Sequence, residues 1–366
     1  MIRKNLVLLT KGYPFGFSEA SFLDEEIKIM LENHNIILSV AINGGERRSE
    51  RSYKGESLVY QPNNVVSLGL KFKFYIKIVL PFLLNIFPKF MVNKTSSQNI
   101  KHVLSQLLKY LDMAIYLERI RGSRRVDYFY SYWLDHWNMA ACFHKILFKT
   151  EVQVISRAHR FELVKETSKL GFFPFHPIQF KCSDKIVFIS TTLRDHYLSL
   201  YPAFEDKMLF HPLGVKNGVK ELNGNDSPEG SEYRVVCISD IKPIKNLELV
   251  AKALRGTGLK ISWFHFGASK DNDILLNMLR GSSVSYHNMG FWENEKLQEF
   301  LQNSFFHFLI NTSRSEGVPV SMMEAISCGI PIVATNVGGV NELVCDETGI
   351  LVEGDIDSSA LTEVIK

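Results

Sequence analysis

Short apolar runs alternate with longer, helix-like segments along most of the chain. In Leu247–Leu254 the apolar positions recur at the 3.6-residue period of a helix, and Glu19–Glu32 is a second such segment. Ten apolar runs are predicted to be strands: Leu6–Thr10, Ile36–Ala41, Tyr128–Tyr132, Val152–Ser156, Lys185–Ile189, Arg234–Ser239, Lys260–Phe266, Ser283–Asn288, Phe305–Ile310 and Pro331–Thr335. Because strands that alternate with helices pair through βαβ units, the pattern predicts an α/β fold with parallel sheets.

One polar segment, 216–232, divides this alternation into two halves. Its sequence, KNGVKELNGNDSPEGSE, is rich in Gly, Asn, Ser and acidic residues, as interdomain linkers often are. The 366 residues also exceed the size at which one hydrophobic core usually stops growing. We therefore predict two α/β domains, 1–215 and 233–366, that bind ligands at the carboxyl ends of their strands, in the cleft between them.

The segment 70–94, LKFKFYIKIVLPFLLNIFPKFMVNK, mixes aromatic, aliphatic and lysine residues. This mixture is typical of a helix that lies in a membrane interface with its lysines toward the headgroups. The alternative is a core-packed helix with a few surface lysines. Its longest apolar run, Ile78–Pro88, is shorter than the roughly 20 residues of a membrane span, so the sequence predicts no spanning helix.

The distribution of charge along the chain supports the membrane-interface interpretation of this segment. Residues 1–220 carry a net charge of +12 and the remaining residues a net charge of −9. A basic half suits an anionic membrane surface or nucleic acid, and a mixed, solvated surface is the plainer alternative. Because no nucleic-acid-binding motif accompanies the charge, we predict an anionic membrane surface as a partner and no nucleic acid.

Composition places the protein among soluble globular chains, with 46% hydrophobic and 22% charged residues. The five cysteines are widely spaced and form no C-x-x-C pair, which indicates neither a disulfide framework nor a zinc site. We expect a cytoplasmic protein that associates peripherally with the inner face of the membrane. The chain ends in SSALTEVIK, which has the pattern of a helix start, and we expect the sequence to be truncated there.

Candidate chemistry is concentrated in residues 311–344, NTSRSEGVPVSMMEAISCGIPIVATNVGGVNELV. The pattern predicts a loop after a strand, then a helix Val320–Cys328 with Pro319 in its first turn and Gly329 just beyond its end. A second helix start is predicted after Gly339. Helix N-termini beside strand ends offer backbone N–H groups to an anion, so a phosphorylated ligand is predicted.

Two of the carboxylates in this stretch are candidates for ligand contacts. Glu316 lies in the loop, and Glu324 lies on the helix among apolar residues, where a carboxylate needs a partner. Carboxylates accept hydrogen bonds from the vicinal hydroxyls of ribose and hexose rings. The alternative, two solvated surface carboxylates, is disfavoured by the apolar surroundings of Glu324.

The run SEGVPVSMMEAISCGIPIVATNVGG resembles the glutamate–seven residues–glutamate motif of retaining glycosyltransferase family 4, which has the GT-B fold. The segments LLTKGYPFGFSEASFLDEEI, ISDIKPIKNLELVAKAL and WFHFGAS are similar to other parts of that family. The segments YSYWLDHWNMA and ISRAHRFELVKE are similar to parts of a branch that builds bacterial surface polysaccharides. The resemblance implies two Rossmann-like domains with parallel sheets facing a cleft. The N-terminal domain would bind the acceptor and the C-terminal domain the nucleotide-sugar.

The resemblance also implies roles for individual residues. His159 and Glu316 would form the catalytic site, with Glu316 bonded to donor-sugar hydroxyls and His159 near the reaction centre. Glu324 would hold the ribose, and Lys245 would stabilise the leaving diphosphate. Including these two, the donor-binding residues would be Gly12, Gly16, Lys245, Gly317, Val318, Val320, Ser321 and Glu324. One departure is Asp240, which stands where the family often has a diphosphate-binding arginine; Lys242 is a candidate substitute.

We therefore predict a retaining, metal-independent glycosyltransferase without a cofactor. It would move a sugar from a nucleoside-diphosphate-sugar donor to a glycan or lipid-linked glycan acceptor, in bacterial surface polysaccharide biosynthesis such as that of lipopolysaccharide or capsule. Two alternatives stay open. A nucleotide-sugar epimerase of the same fold would form product without an acceptor, and a catalytically weak nucleotide-sugar-binding protein would bind the donor without turnover.

Overall fold

The computed structural model describes residues 3–14, 19–42, 56–62, 67–92, 96–218, 232–267 and 273–366. Gly16 and most of the predicted linker, 219–231, lie outside these described residues. The chain divides into two compact units, Met1–Gly214 and Val215–Lys366. The acceptor and donor roles assigned to the two domains stay predictions.

The first unit is built on a sheet of parallel strands. Its described strands are β1 (Lys4–Thr10), β2 (His34–Ala41), β3 (Ser57–Val59), β4 (Tyr128–Ser131), β5 (Gln153–Ala158), β6 (Lys185–Phe188) and β7 (Met208–Phe210). They pair in the order β3-β2-β1-β4-β5-β6-β7, and every pair is parallel. This is the strand order of a Rossmann-like sheet, in which the connections reverse direction between the first and the fourth strand.

Helices connect these strands and cover both faces of the sheet. They are α1 (Ala20–Asn33), α2 (Leu68–Phe74), α3 (Leu80–Val92), α4 (Ser97–Ser123), α5 (His136–Phe148), α6 (His176–Cys182) and α7 (Thr191–Leu200). Successive side chains of β1 enter opposite cores. Val7 and Leu9 pack in the core under α2 to α5, whereas Leu6 and Leu8 pack in the core that contains residues of α1. The sequence of a parallel strand that is buried on both faces is a continuous apolar run, and in β1 this run is LVLL, Leu6–Leu9.

The second unit repeats this architecture. Its described strands are β8 (Glu232–Ile238), β9 (Lys260–Phe266), β10 (Val284–Gly290), β11 (Phe308–Asn311), β12 (Ile332–Thr335) and β13 (Gly349–Val352). They pair in parallel in the order β10-β9-β8-β11-β12-β13. The helices are α8 (Leu247–Thr257), α9 (Asp273–Leu279), α10 (Asn294–Gln302), α11 (Val320–Ser327) and α12 (Ser358–Ile365). The predicted fold class, two Rossmann-like domains with parallel sheets, is confirmed.

The ten predicted strands are all present, with ends that differ by at most three residues. Three further strands, β3, β7 and β13, were not predicted. Each lies at an edge of its sheet and has only three or four residues. An edge strand pairs on one side only and buries less apolar surface, so its sequence carries a weaker signal.

Helices α2 and α3 form one continuous helical segment, Leu68–Val92, joined by a π-helical turn at Tyr75–Val79. By length and composition it could cross a membrane, which the sequence did not predict because lysines interrupt its apolar run. Its buried residues recur every four positions: Phe74, Ile78, Phe82, Ile86 and Phe90. Four such steps would drift about 160° around a regular helix, at 100° per residue. The wider π-helical turn offsets part of this drift and keeps the stripe toward the core.

The core-packed alternative describes one face of this segment, and the membrane-interface alternative stays a prediction. The buried stripe packs in the core of the first unit. Other large apolar side chains of the same helix are exposed, among them Phe72 at 68%, Leu84 at 71% and Met91 at 66%.

The buried stripe gives a stability prediction. Ile78→Ala is expected to lower the free energy of unfolding by about 2–5 kcal/mol, because the side chain is 2% exposed and its removal leaves a cavity. Ile76→Ala is the matched control, since Ile76 is 47% exposed two residues earlier. Thermal and chemical unfolding of both variants measure the difference. Equal effects of the two substitutions would contradict the assignment of buried and exposed faces.

Candidate functional site

The candidate site of the second unit lies in the loops that follow β8 and β11. These two strands are neighbours in the sheet, at the point where the connections reverse direction. Ligands of open α/β sheets bind at such points, because neighbouring loops leave to opposite sides there. The two loops are tied together: Thr312 Oγ1 donates to the Asn246 carbonyl at 3.0 Å, and Arg314 N–H donates to the Ile244 carbonyl at 2.8 Å.

Lys245 and Glu316 meet across these loops. The Lys245 Nζ atom donates to Glu316 Oε1 at 2.6 Å, and the Asn311 amide lies 3.4 Å from the same oxygen. The side chains are 24% and 10% exposed, respectively, so the ion pair is partly shielded from water. The structure thus brings together a cation and a carboxylate that the sequence assigned to phosphate and sugar.

Glycines allow the backbone around Glu316 to pack closely. Gly338 has φ +60°, and a Cβ atom there would lie 1.9 Å from the Glu316 carbonyl oxygen, so this position requires glycine. The neighbouring Gly339 N–H donates to the Gly317 carbonyl at 2.9 Å. The loop after β12 therefore supports the backbone of Glu316 and Gly317 directly.

Helix α11 begins beside this loop. Pro319 immediately precedes the first turn of α11, whereas the sequence predicted it within that turn. Gly329 lies just beyond the end of the helix and has φ +74°. Val320 and Ser321 open the helix, and the first-turn N–H groups of any helix lack an acceptor within that helix. These N–H groups and the positive end of the helix dipole favour an anion. Gly317 and Val318 lead into the helix from Glu316.

Glu324 projects from the second turn of α11 into a nearly closed environment. The residue is 4% exposed, and the Asn294 side-chain amide donates a hydrogen bond to its Oε1 atom. Burial raises the pKa of Glu324 above its usual range, and the bond from Asn294 offsets part of that shift. A further hydroxyl donor from a ligand would stabilise the ionised form in the same way.

Asp240 has a local partner. Its carboxylate lies 2.5 Å from Lys242 Nζ, and both side chains are more than half exposed. The pair compensates charge at this position, although an exposed pair contributes little to stability. The predicted repulsion between Asp240 and a diphosphate stays a prediction.

Three of the predicted site residues belong to the first unit, and the structure describes two of them. His159 follows β5 and is 8% exposed, with its ring against Trp133 at a centroid distance of 4.2 Å. Gly12 follows β1, and its N–H donates to Glu19 Oε2 at 2.6 Å. This N–H would have to leave Glu19 to contact a diphosphate, and the role predicted for Gly12 stays a prediction. Gly16 lies outside the described residues.

The sequence missed three residues that organise these sites. Glu19 accepts a hydrogen bond from Gly12, and Asn294 donates one to Glu324. The Trp133 ring packs on His159 and its N–H donates to Glu19. Asn294 lies 30 residues from Glu324 in sequence, and Glu19 bonds mainly to backbone N–H groups. Neither relation leaves a pattern in a single sequence.

Two Rossmann-like units with all-parallel sheets are the fold of the GT-B class. Residues 232–366, most of the second unit, match the family model described as glycosyl transferases group 1. The predicted resemblance is confirmed at this level.

A relative in Methanocaldococcus jannaschii, the uncharacterized glycosyltransferase MJ1178, is 25% identical over 174 residues, which are 47% of this chain and 46% of the relative. The chain spans less than half the length of the curated relatives it matches.

Solved structures share the fold over nearly the whole chain. The Anabaena protein Alr3699/HepE in complex with UDP and glucose has a TM-score of 0.64 at 15% identity, covering 100% of this chain and 89% of that one. The apo form of the lipopolysaccharide outer core galactosyltransferase WaaB has a TM-score of 0.62 at 11% identity, covering 98% and 89%.

The raised pKa of Glu324 predicts how stability depends on pH. As pH rises, the unfolded chain releases this proton before the folded chain does, so the folded state loses stability between the ordinary carboxyl pKa and the raised one. Glu324→Gln does not titrate, and its oxygen can still accept from Asn294. The variant is expected to melt at a higher temperature than the wild type at pH 7, with the gain shrinking below the ordinary carboxyl pKa.

The control for this experiment is Glu363→Gln, because Glu363 is 71% exposed on the surface of α12. Melting temperatures from pH 4 to pH 8 are compared for the three proteins. A Glu324→Gln variant with the same pH dependence as the wild type would show that burial of this carboxylate has no energetic cost.

Proposed function

We propose that this protein transfers a sugar from a nucleoside-diphosphate-sugar donor, with retention of the anomeric configuration, to a glycan or lipid-linked glycan acceptor. The single observation that carries the proposal is the meeting of Lys245 and Glu316 beside the N-terminus of α11. A lysine and a helix N-terminus suit a diphosphate, and a carboxylate suits sugar hydroxyls. A transfer reaction that releases a nucleoside diphosphate needs both kinds of group.

In this proposal the leaving diphosphate is stabilised by Lys245 and by the first-turn N–H groups of Val320 and Ser321. Glu316 accepts hydrogen bonds from the donor sugar, and Glu324 accepts them from the ribose. The chain then contributes positioning and stabilisation of the leaving group, and no protein nucleophile is assigned. The reaction is proposed to proceed without a metal.

The Lys245–Glu316 ion pair has a consequence for donor binding. A bound diphosphate and the Glu316 carboxylate both attract the Lys245 ammonium group, so they compete for it. A sugar that donates hydroxyls to Glu316 compensates the carboxylate when the lysine turns to phosphate. The intact donor thus satisfies both partners, whereas a free diphosphate satisfies only one.

A role in bacterial surface polysaccharide biosynthesis is part of the proposal. It is supported by the fold shared with WaaB, which is a lipopolysaccharide outer core galactosyltransferase. The fold shared with HepE, whose structure contains UDP and glucose, supports a nucleotide-sugar donor. Both likenesses are of fold, so the sugar and the acceptor of this chain are left to experiment.

Nucleotide binding tests the proposal. Calorimetry with nucleoside diphosphates and their sugars is expected to show that Lys245→Ala weakens binding by about tenfold or more, the effect of a lost charged hydrogen bond. Glu316→Gln is expected to leave diphosphate affinity unchanged or higher and to remove the extra affinity of the sugar-bearing donor. Lys252→Ala is the control, because Lys252 is an exposed lysine on the adjacent helix α8.

The transfer reaction is then measured with the donor that binds best. Product formed without an acceptor would favour the epimerase, and donor binding without turnover would favour the weak binding protein. Normal donor affinity and activity in Lys245→Ala would defeat the phosphate assignment.

We also propose that the first unit associates peripherally with the anionic inner face of the cytoplasmic membrane. The exposed apolar side chains of Leu68–Val92 support this, because a contiguous exposed apolar patch favours contact with a second apolar surface. Lys71, Lys77 and Lys89 are exposed on the same helix and would face lipid headgroups.

Vesicle co-sedimentation tests membrane association. Neutralising Lys71, Lys73 and Lys77 together by Gln is expected to weaken binding to anionic vesicles by about 1 kcal/mol per charge at low salt. The matched control changes three exposed lysines of the second unit, Lys252, Lys260 and Lys296, to Gln. If the wild-type chain stays in solution with anionic vesicles at low salt, the membrane proposal fails.

A further inference from the structure

The loop after β1 is organised around one buried carboxylate. Glu19 is 1% exposed, and its two oxygens accept three consecutive backbone N–H groups: Lys11 at 2.9 Å, Gly12 at 2.6 Å and Tyr13 at 2.8 Å. The Trp133 indole N–H also donates to Glu19 Oε1. Four donors compensate the desolvation of this carboxylate, which would otherwise make its burial costly.

A polar residue immediately before a helix usually caps that helix, and Glu19 does not. Glu19 immediately precedes α1, but its side chain makes no capping bond to that helix. It turns instead toward the loop and toward Trp133, which follows β4. Two of the loops at the carboxyl ends of neighbouring strands, β1 and β4, are thereby joined through one side chain.

Trp133 in turn contacts His159, which follows the next strand, β5. The two rings lie 4.2 Å apart between centroids at an angle of 39°, and the Tyr132 ring lies 5.1 Å from His159. Among the described residues, neither ring nitrogen of His159 has a hydrogen-bond partner, although both atoms are buried. The Glu162 Oε2 atom lies 3.7 Å from His159 Nδ1, so ring packing and this buried carboxylate together set the orientation of the imidazole.

We propose that Glu19 is a positioning residue for His159 and acts through Trp133. Glu19 fixes the indole by its N–H group, and the indole face restricts the imidazole. Among the described residues, the Nε2 atom of that imidazole has no hydrogen-bond partner. The inference rests on the proposed function, because a role of His159 in sugar transfer is part of that function. It assigns Glu19 to the transfer step, whereas nucleotide binding is assigned to Lys245 and the start of α11.

The kinetic test compares Glu19→Gln with Glu25→Gln. Glu25 lies on α1, the helix that Glu19 precedes, and pairs with Lys28 on the surface, so it is a matched control. Gln in place of Glu19 keeps one acceptor oxygen but places an NH₂ group against N–H donors. We expect kcat to fall about tenfold with the donor KM within twofold of wild type, and Glu25→Gln to have no effect. A parallel change in KM and nucleoside-diphosphate affinity would overturn the assignment.

A second variant separates positioning from loop stability. Trp133→Phe keeps an aromatic ring but removes the indole N–H. It is expected to lower kcat as Glu19→Gln does, and the double variant is expected to lose little more, because both changes break the same contact. Additive losses would mean that Glu19 and Trp133 act independently, which contradicts the proposal.

An observation that needs no activity completes the test. In the free protein labelled at histidine, the His159 ring proton signal, assigned with His159→Gln, carries the ring-current shift of Trp133. This shift is expected to change in Glu19→Gln and to persist in Glu25→Gln. An unchanged shift in Glu19→Gln overturns the inference even if the enzyme is active. If the wild type binds and transfers no donor, the proposed function fails while this comparison still decides whether Glu19 controls the ring.

Discussion

A parallel sheet obliges every connection to return to the end from which the next strand starts. The loops at the carboxyl ends of the strands are therefore the places where side chains are free of the sheet's own packing. Where the connections reverse direction, two neighbouring loops diverge and leave room for a ligand. In this protein both units meet that condition between their first and fourth strands, and the residues of chemical interest lie there in each.

The two units use this position in different ways. In the second unit the loops present a lysine, a carboxylate and a helix start, and the lysine and carboxylate hold each other. In the first unit the backbone N–H groups of Lys11, Gly12 and Tyr13 are already bonded to Glu19. Similar backbone architecture thus places a lysine–carboxylate pair beside a helix start in one unit, and in the other it bonds three consecutive loop N–H groups to one carboxylate.

Much of the fold could be predicted from the sequence, because strands buried on both faces are continuous apolar runs such as Leu6–Leu9. The edge strands β3, β7 and β13 could not, since they are short and half paired. At the candidate site, Glu316 and Glu324 were identified from a motif and from the apolar residues around Glu324. The partners of these groups were not, because Asn294 comes from another helix and the partners of Glu19 are mostly backbone atoms.

The π-helical turn at Tyr75–Val79 makes the helix Leu68–Val92 sensitive to chain length. Beyond the turn, Phe82, Ile86 and Phe90 face the core, and the turn offsets part of the rotation that would carry them away from it. Removing one residue within the turn would rotate all that follows by about 100° and bring exposed side chains such as Leu84 toward the interior. The alignment of the buried stripe with the core thus depends on the number of residues in the turn as well as on which side chains are apolar.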